Sequence, residues 1–572
     1  RGAGASVRVE IAVRVGVSGM LLLPTTLLGL TSRPPPRTVG VIGGGIAGLS
    51  CARRLQQLGV ECTVYDTGKR GPGGRASSRT WRGRAVDHAV QSVSAMPGSA
   101  FHEWLSQLEA DGFVRPWSGL GVLGEGGAFM PAPEGGAPRY IGVGGMGTIA
   151  EQLAGGLDIR QDIWVSPNGG IFTERDSAEH GGGGWCVQES KKVQARYDAV
   201  VIAHNGKCAE RLTSKIEARD VHMLLRARFA TAATGGGPGG GRMTLNSMYS
   251  LLVELPAGVI PEGRGGVDGA YVEHEPSLRY LGCNDAKHGS GKGTAGTEVW
   301  TVLSSGAFGK AHKVAQEQLE GTEAEAEVSA LLLAAVERAL GLAEGAVAKA
   351  ASATKLQLWG AAIPMNRWDG GDFAYSAAGR VGIAGDWLAT EARAATASTV
   401  EAAWTSGFLL AEHIASETRC AVDHGLELGK RGGRFVPVDA GGFGSAALGK
   451  SNWIDEPSSG GADAQPPKVF AQRLFIHNLD FEVTEADLVG EIEAVTKPRS
   501  VAAAQILTGP DGASRGMAKV RMENAEDAAA AVKALDGKQL RGRALRVNFE
   551  QKKSGGGRGR GRGRGGGRGR GA

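Results

Sequence analysis

A strand that runs directly into three spaced glycines leaves a chain few folds to choose from. Residues Thr38–Ser50 read TVGVIGGGIAGLS, an apolar run followed by Gly43, Gly45 and Gly48. In this G-x-G-x-x-G pattern the first glycine permits a tight turn and the second lets the backbone approach a pyrophosphate. The third lets the following helix pack closely on the strand. The helix expected over Ile46–Leu58 aims its positive end at the phosphates, an interaction of ~0.3–1 kcal/mol. The next strand, CTVYD, ends at Asp66, 18 residues after Gly48, where a carboxylate reaches a ribose hydroxyl. A glycine-rich turn in another α/β protein would supply the glycines without the strand before, the helix after and the acid at that distance.

Three further segments bear on which dinucleotide. Gly71–Arg75 (GPGGR) is a second glycine loop, with Gly74 and Arg75 suited to the far side of a pyrophosphate; a surface turn is the competing account of the arginine. Asp198–Ala203 (DAVVIA) has the pattern of a buried strand re-entering the same sheet. More than three hundred residues after the glycine turn, Val381–Gly407 reads VGIAGDWLATEARAATASTVEAAWTSG, a strand, a Gly385-Asp386-Trp387 turn and a small-residue helix. Asp386 with that helix N-terminus is placed to hold a ribityl hydroxyl and a flavin edge, which favours FAD over NAD.

These segments, in this order, resemble the flavin-containing amine oxidase superfamily, most closely its renalase-like branch. The resemblance is carried by VIGGGIAGLS, GPGGR, Val86–Ser94 (VDHAVQSVS), Tyr140–Gly147 (YIGVGGMG), Arg279–Lys287 (RYLGCNDAK), Trp300–His312 (WTVLSSGAFGKAH), Leu358–Pro364 (LWGAAIP) and the GIAGDW…VEAAWTSG terminus, over about 38–416. It implies a Rossmann-like, GR2-type α/β FAD-binding domain with an inserted α+β substrate subdomain. It also implies FAD at Gly43, Gly45, Gly48, Asp66, Gly74, Arg75 and Asp386, and hydride transfer from a small-molecule reductant, an amine or a reduced nicotinamide, to flavin N5. Candidates for the flavin face are His88, Gln91, Trp359 and Trp387, for each of which core packing is an equal alternative. No cysteine lies in the GDW segment, so the flavin is expected to be non-covalent. In Val86–Ser94 the aromatic residues expected after the glutamine are replaced by Val93 and Ser94, which reshapes the substrate face.

Charge and composition separate a second module. The formal net charge is +5, yet residues 552–572 hold eight basic residues and no acid, so the remainder is −3. A polyanionic partner is therefore expected at that end only. Between 419 and 469 the chain turns polar and Gly/Pro-rich, the composition of a flexible linker. Residues 470–551 recover a βαββαβ pattern that resembles the ferredoxin-like α+β RNA recognition motif. RLFIHNL matches its first-strand signature, and SRGMAKVRM aligns with its R-G-F-A-F-V-x-F signature. Phe475 stands where a base would stack, but the other platform positions are Met517 and Lys519. Lys519, Arg521, Arg541 and Arg543, with tail arginines such as Arg558 and Arg560, offer phosphate contacts instead, salt-sensitive and with nothing specific to DNA. The Arg-Gly tail cannot bury a core and is expected to be disordered.

Six dispersed cysteines without a C-x-x-C pair argue against a structural zinc or a disulfide scaffold, and no metal constellation is evident. Residues 1–36 carry Arg1, Arg8 and Arg14 against one acid, Glu10, and resemble an organelle transit peptide for plastid or mitochondrion. A secretory signal or a mispredicted start reads the same way; without a leader the site is cytoplasm or nucleus. Met20–Leu30 is too short for a bilayer, which takes ~20 residues. Two other readings of the chain stay open: an RNA-binding protein whose flavin fold is catalytically idle, and a gene-model fusion.

Overall fold

Apolar side chains on both faces make Thr38–Ile42 a central strand, since only a sheet covered on both sides tolerates such a run. Val39, Val41 and Ile42 are at most 1% exposed. The strand lies between Ala199–Ile202 and Glu61–Tyr65, parallel to both. The six-stranded sheet continues in parallel to Val381–Ile383 on one side and Asp158–Arg160 on the other, with Ala374–Ser376 as an antiparallel edge. The structure is a computed structural model. It describes residues 34–427 except 133–136, 167–169, 174–183, 190–191, 205–211, 213–220, 222–242, 262–265, 290–295 and 315–318. It further describes residues 433–438, and 469–551 except 478, 481, 509–513, 537 and 542. Most of the leader, part of the linker, and the tail with Arg558 and Arg560 lie outside the described residues.

The chain divides into two compact units, Arg1–Glu456 and Pro457–Ala572. In the first unit, a seven-stranded sheet runs in the order Ala353–Trp359, Met248–Pro256, Thr297–Ser304, Leu278–Cys283, Gly269–Val272, Leu120–Leu123 and Phe129–Pro131. Alternation along its strands sends two sets of side chains to two cores. Tyr249, Leu251, Val302 and Leu281 share one core with Leu332, Ala335, Val336 and Ala339 of the Glu323–Leu340 helix. Met248, Leu303 and Tyr280 face the other way and join the core of the Rossmann-like sheet, with Val93, Ala362 and Phe373. No helix among the described residues is long and apolar enough to cross a membrane.

The linker expected over 419–469 is corrected at its start. Phe435–Pro437 pairs antiparallel with Asn366–Trp368, and the Phe435 ring, 3% exposed, lies 5.5 Å from that of Trp368 and 6.1 Å from that of Trp387. One aromatic side chain seated between two tryptophans fixes a segment whose glycines and arginines look unstructured in sequence.

The second unit has a four-stranded antiparallel sheet, in the order Val501–Thr508, Ser514–Met522, Val469–His477 and Arg546–Gln551. The helices Glu485–Val495 and Ala525–Leu535 cover one face through Leu488, Ile492, Ala528, Ala531 and Leu535. Thr484 and Asp487 form a reciprocal capping box that sets where the first helix begins. This is the βαββαβ arrangement read from the sequence.

Candidate functional site

The three glycines of the opening motif serve three different geometric needs. Gly43 has φ +117°, which L side chains rarely adopt, and its N–H donates to the Tyr65 carbonyl at 2.8 Å. A Cβ on Gly48 would lie 1.9 Å from the Gly43 carbonyl oxygen, so the helix closes onto its own turn only without one. Gly45 is extended (φ −79°, ψ 176°), and a Cβ there would meet nothing within 4 Å. The helix it precedes, Ile46–Gln57, has no side-chain cap and no acid in its first turn. Open space beside an uncapped, positive helix end is an anion cradle. Asp66 flanks it, accepting from the Gly44 N–H at 3.4 Å.

The second glycine loop docks on the first. Gly73 donates to the Gly44 carbonyl at 2.7 Å and forms a parallel bridge with Gly45. Gly74 (φ +55°) sits with its missing Cβ 3.6 Å from the Gly45 Cα. Arg75 then reaches Asp386 at 2.7 Å and the Ala362 carbonyl at 2.6 Å. Two residues assigned to opposite ends of a cofactor are thus ion-paired to each other. Asp386 accepts at its carbonyl from Ser398 at 2.7 Å, and the helix that follows, Val400–Ile414, crosses Ile46–Gln57. Gly407 permits the crossing, because a Cβ there would lie 2.0 Å from the Ala47 carbonyl. Trp387 is fully buried in the separate cluster with Trp368 and Phe435, where it packs instead of lining the cradle.

Between the cradle and the seven-stranded sheet lie the other candidates. The rings of His88 and Trp359 are 5.5 Å apart, and the indole N–H donates to the His88 carbonyl. Burial, aided by the Arg79 guanidinium, pushes the His88 imidazole down to about 4, so it is neutral at physiological pH. Its Nδ1 has no hydrogen-bond partner. Gln91 is occupied at both ends: its amide donates to the carbonyls of Asp87 and Ala89, and its Oε1 accepts from Lys287 at 3.2 Å.

Lys287 belongs to a buried ionic cluster that the sequence reading did not single out. Its Nζ is 2.6 Å from Asp87 Oδ2, which His288 Nε2 approaches to 2.8 Å. Asp87 Oδ1 accepts from the Ser78 hydroxyl and the Met146 N–H. Burial alone would raise the Asp87 carboxyl, but Lys287 and His288 hold it well below the usual carboxylate range. Burial lowers the Lys287 ammonium, with Asp87 opposing. The partners stand 200 residues apart, in VDHAVQSVS and RYLGCNDAK, and no local pattern marks either as buried. Val93, read as a change in the substrate face, is 3% exposed and pairs with Tyr140.

In the second unit Phe475 and Lys519 are directly opposed on neighbouring strands, with the ammonium 5.8 Å from the ring centroid. Arg473 opposes Arg521 and His477 opposes Met517; Arg473, Lys519 and Arg521 are exposed. Among the described side chains the sheet therefore presents the Phe475 ring amid cations. Met522 is buried, as its place opposite the helices requires. Arg541 and Arg543, expected to meet phosphates, are instead drawn to acids of their own unit, Arg541 to Asp487 at 3.2 Å and Arg543 to Asp480 at 3.6 Å.

Residues 41–108 match a family model described as an NAD(P)-binding Rossmann-like domain, and residues 474–546 match the RNA recognition motif. Among solved structures, cyclohexylamine oxidase from Brevibacterium oxydans IH-35A is similar at 13% identity over 67% of this chain and 99% of its own, with a TM-score of 0.45. Putrescine oxidase bound to putrescine is similar at 13% identity over 66% of this chain and 98% of its own, with a TM-score of 0.44. For the second unit, RNA Binding Protein PG1 is 29% identical over 15% of this chain and 99% of its own, with a TM-score of 0.14. The chain thus carries a Rossmann-like dinucleotide-binding domain and an RNA recognition motif.

Proposed function

We propose that the first unit is an FAD-dependent oxidoreductase of the amine-oxidase type and that the second binds RNA. The observation that carries the redox reading is the convergence of three distant segments, Gly43–Gly48, Gly71–Arg75 and Asp386, around open space at Gly45. A dinucleotide with one ribose near Asp66 and a pyrophosphate at the Ile46 helix end fits this donor set, and the Arg75–Asp386 pair lies where the distal half would extend. A bound flavin supplies the two-electron acceptor for hydride leaving a substrate. The protein's part is to position and to dry the site. His88, neutral and buried, presents an acceptor nitrogen and no charge, while Trp359 and Leu303 exclude water. The RNA reading rests on Phe475 flanked by Lys519, Arg473 and Arg521 on the open face of the sheet.

The absorbance spectrum of the purified full chain tests the first part. Flavin bands that bleach on anaerobic addition of a reductant and are lost on denaturation support it. A colourless protein that fails to take up added FAD but still retards RNA in a gel supports the RNA-binding reading alone.

A further inference from the structure

The Val400–Ile414 helix is followed by a strap. The chain turns back through Arg419–Ala421 and lays His424 against Ala374–Ser376, the outer strand of the six-stranded sheet. The Tyr375 N–H donates to the His424 carbonyl at 2.8 Å, and the His424 N–H donates to the Tyr375 carbonyl at 2.9 Å. The Asp423 carboxylate accepts from the Ala377 N–H at 2.8 Å, and the Gly425 carbonyl accepts from the Trp368 indole at 3.0 Å. A sheet edge presents unpaired backbone groups, and the strap satisfies those of Tyr375. Beneath this pairing two imidazoles and two other rings form one box. The His424 ring stacks on Phe373 at 4.1 Å and 21°. His413, in the last turn of the helix, lies 5.2 Å from Phe373, 5.0 Å from Tyr375 and 5.8 Å from His424. Its Nε2 is 2.9 Å from the Val422 carbonyl, which can only accept, so this imidazole donates to the strap.

The charged groups that face the box are already engaged. Asp372 accepts from the Thr390 N–H and hydroxyl and pairs with Arg393. Asp423 holds the Ala377 N–H, and Arg419 lies 3.6 Å from Glu412. The Arg380 guanidinium and the Cys420 thiol face Tyr375. Burial lowers the His413 imidazole, with His424 and Arg419 acting in the same direction and the Val422 carbonyl and Asp423 opposing. Burial also lowers the His424 imidazole, with Asp372 opposing. Charging both rings would set two cations 5.8 Å apart with the neighbouring carboxylates committed elsewhere.

We propose that residues 415–425 are an acid-released strap, docked on the outer strand while His413 and His424 are neutral and detached when they take up protons. The device is independent of either assigned activity. A released histidine binds its proton near ~6.5 and a docked one only at lower pH, so docking weakens as pH falls through that window. Hydrogen exchange of the full chain, read by mass spectrometry as protection factors at pH 7.5 and 5.0, provides the test. Protection factors already normalise for the intrinsic pH dependence of exchange. Residues 372–377 are expected to be less protected than the central strand Thr38–Ile42 at both pH values, because the strap opens without unfolding the sheet. Their protection should fall at least about tenfold on acidification. In His413→Gln/His424→Phe, where the glutamine can still donate to Val422 and the phenyl ring can still stack on Phe373, that fall should shrink to about threefold or less. His424→Phe alone should give an intermediate fall, and it carries the comparison should the double variant not fold. Protection of 372–377 equal to that of Thr38–Ile42, or a fall of the same size in wild type and variants, would overturn the proposal.

Discussion

Gly45→Val separates ligand binding from folding in a way the neighbouring glycines do not permit. The Gly45 backbone is extended, which valine adopts without strain, and a Cβ there meets no atom within 4 Å. The folded protein therefore accommodates the side chain, and unfolding free energy should change by no more than about 0.5 kcal/mol. The valine methyls then occupy the cradle at the Ile46 helix end. If they displace a pyrophosphate from two backbone N–H groups, each charge-assisted bond contributes about 1.5–3 kcal/mol, so the loss is about 3–6 kcal/mol. Flavin affinity should fall by ~10²–10⁴-fold.

The assay has three parts: the ratio of flavin to protein absorbance after gel filtration, calorimetric titration of flavin-free protein with FAD, and urea unfolding followed by tryptophan fluorescence. All 11 tryptophans lie at or before Trp453, so the last signal reports the first unit alone. Gly48→Ala is the contrasting control. Its Cβ would lie 1.9 Å from a carbonyl oxygen, so it should destabilise the fold itself. Undiminished FAD affinity in Gly45→Val would refute the assignment of the cradle, and a Gly45→Val protein that unfolds as readily as Gly48→Ala would refute its geometry. RNA affinity should be unchanged in Gly45→Val, and its joint loss would overturn the division into two independent modules.

Lys287→Met leaves the fully buried Asp87 carboxylate without its ammonium partner, and should cost about 3–5 kcal/mol by the same urea assay; adding Asp87→Asn should recover part of it. A single variant within about 1 kcal/mol of wild type would contradict the pairing. His88 gives a pH signature. Its imidazole titrates near 4 when folded and near ~6.5 when unfolded, so the unfolded chain binds the proton first and stability falls as pH drops through that window. Between pH 7 and 5 wild type should lose about 2 kcal/mol more than His88→Phe, and parallel curves would refute the burial argument. In the second unit, Lys519→Phe replaces the cation beside Phe475 with a second stacking surface. Affinity for single-stranded RNA by fluorescence polarisation should rise ~5–100-fold and its salt dependence should flatten, whereas weaker binding would show that the lysine is needed for phosphate.

The parts of this molecule legible in sequence are those whose chemistry is local. Gly43, Gly45, Gly48 and Asp66 are fixed by steric needs spanning 24 residues, and the structure assigns each a distinct geometric role. The strand and helix pattern of 470–551 is legible for the same reason. Arg75 and Asp386 stand out in sequence as cofactor candidates from their positions after glycine loops and strands. Their mutual ion pair was not, because it spans 311 residues and depends on where the two loops dock. Phe435 escaped notice because one buried ring in a Gly- and Arg-rich stretch leaves no period to detect.

One row of opposed residues across the seven-stranded sheet, Gln357, Ser250, Leu303 and Tyr280, lies beyond local pattern altogether. Each residue sits on a strand whose alternation could be guessed, but which residue opposes which depends on strand order and register. A shift of one residue in the pairing of Met248–Pro256 with Thr297–Ser304 would turn Ser250 toward the Glu323–Leu340 helix and bring Leu251 to the cradle side. The unpartnered Ser250 and Tyr280 hydroxyls are therefore a consequence of register as much as of composition. Register is held by the apolar set on the opposite face: Tyr249, Leu251, Val302 and Leu281 must all stay in the core they share with that helix. The core that stabilises the sheet thus also fixes which polar groups face the Rossmann-like sheet. Substitutions in that helix face, such as at Leu332 or Val336, would then reach the opposite face of the sheet through register and not through contact.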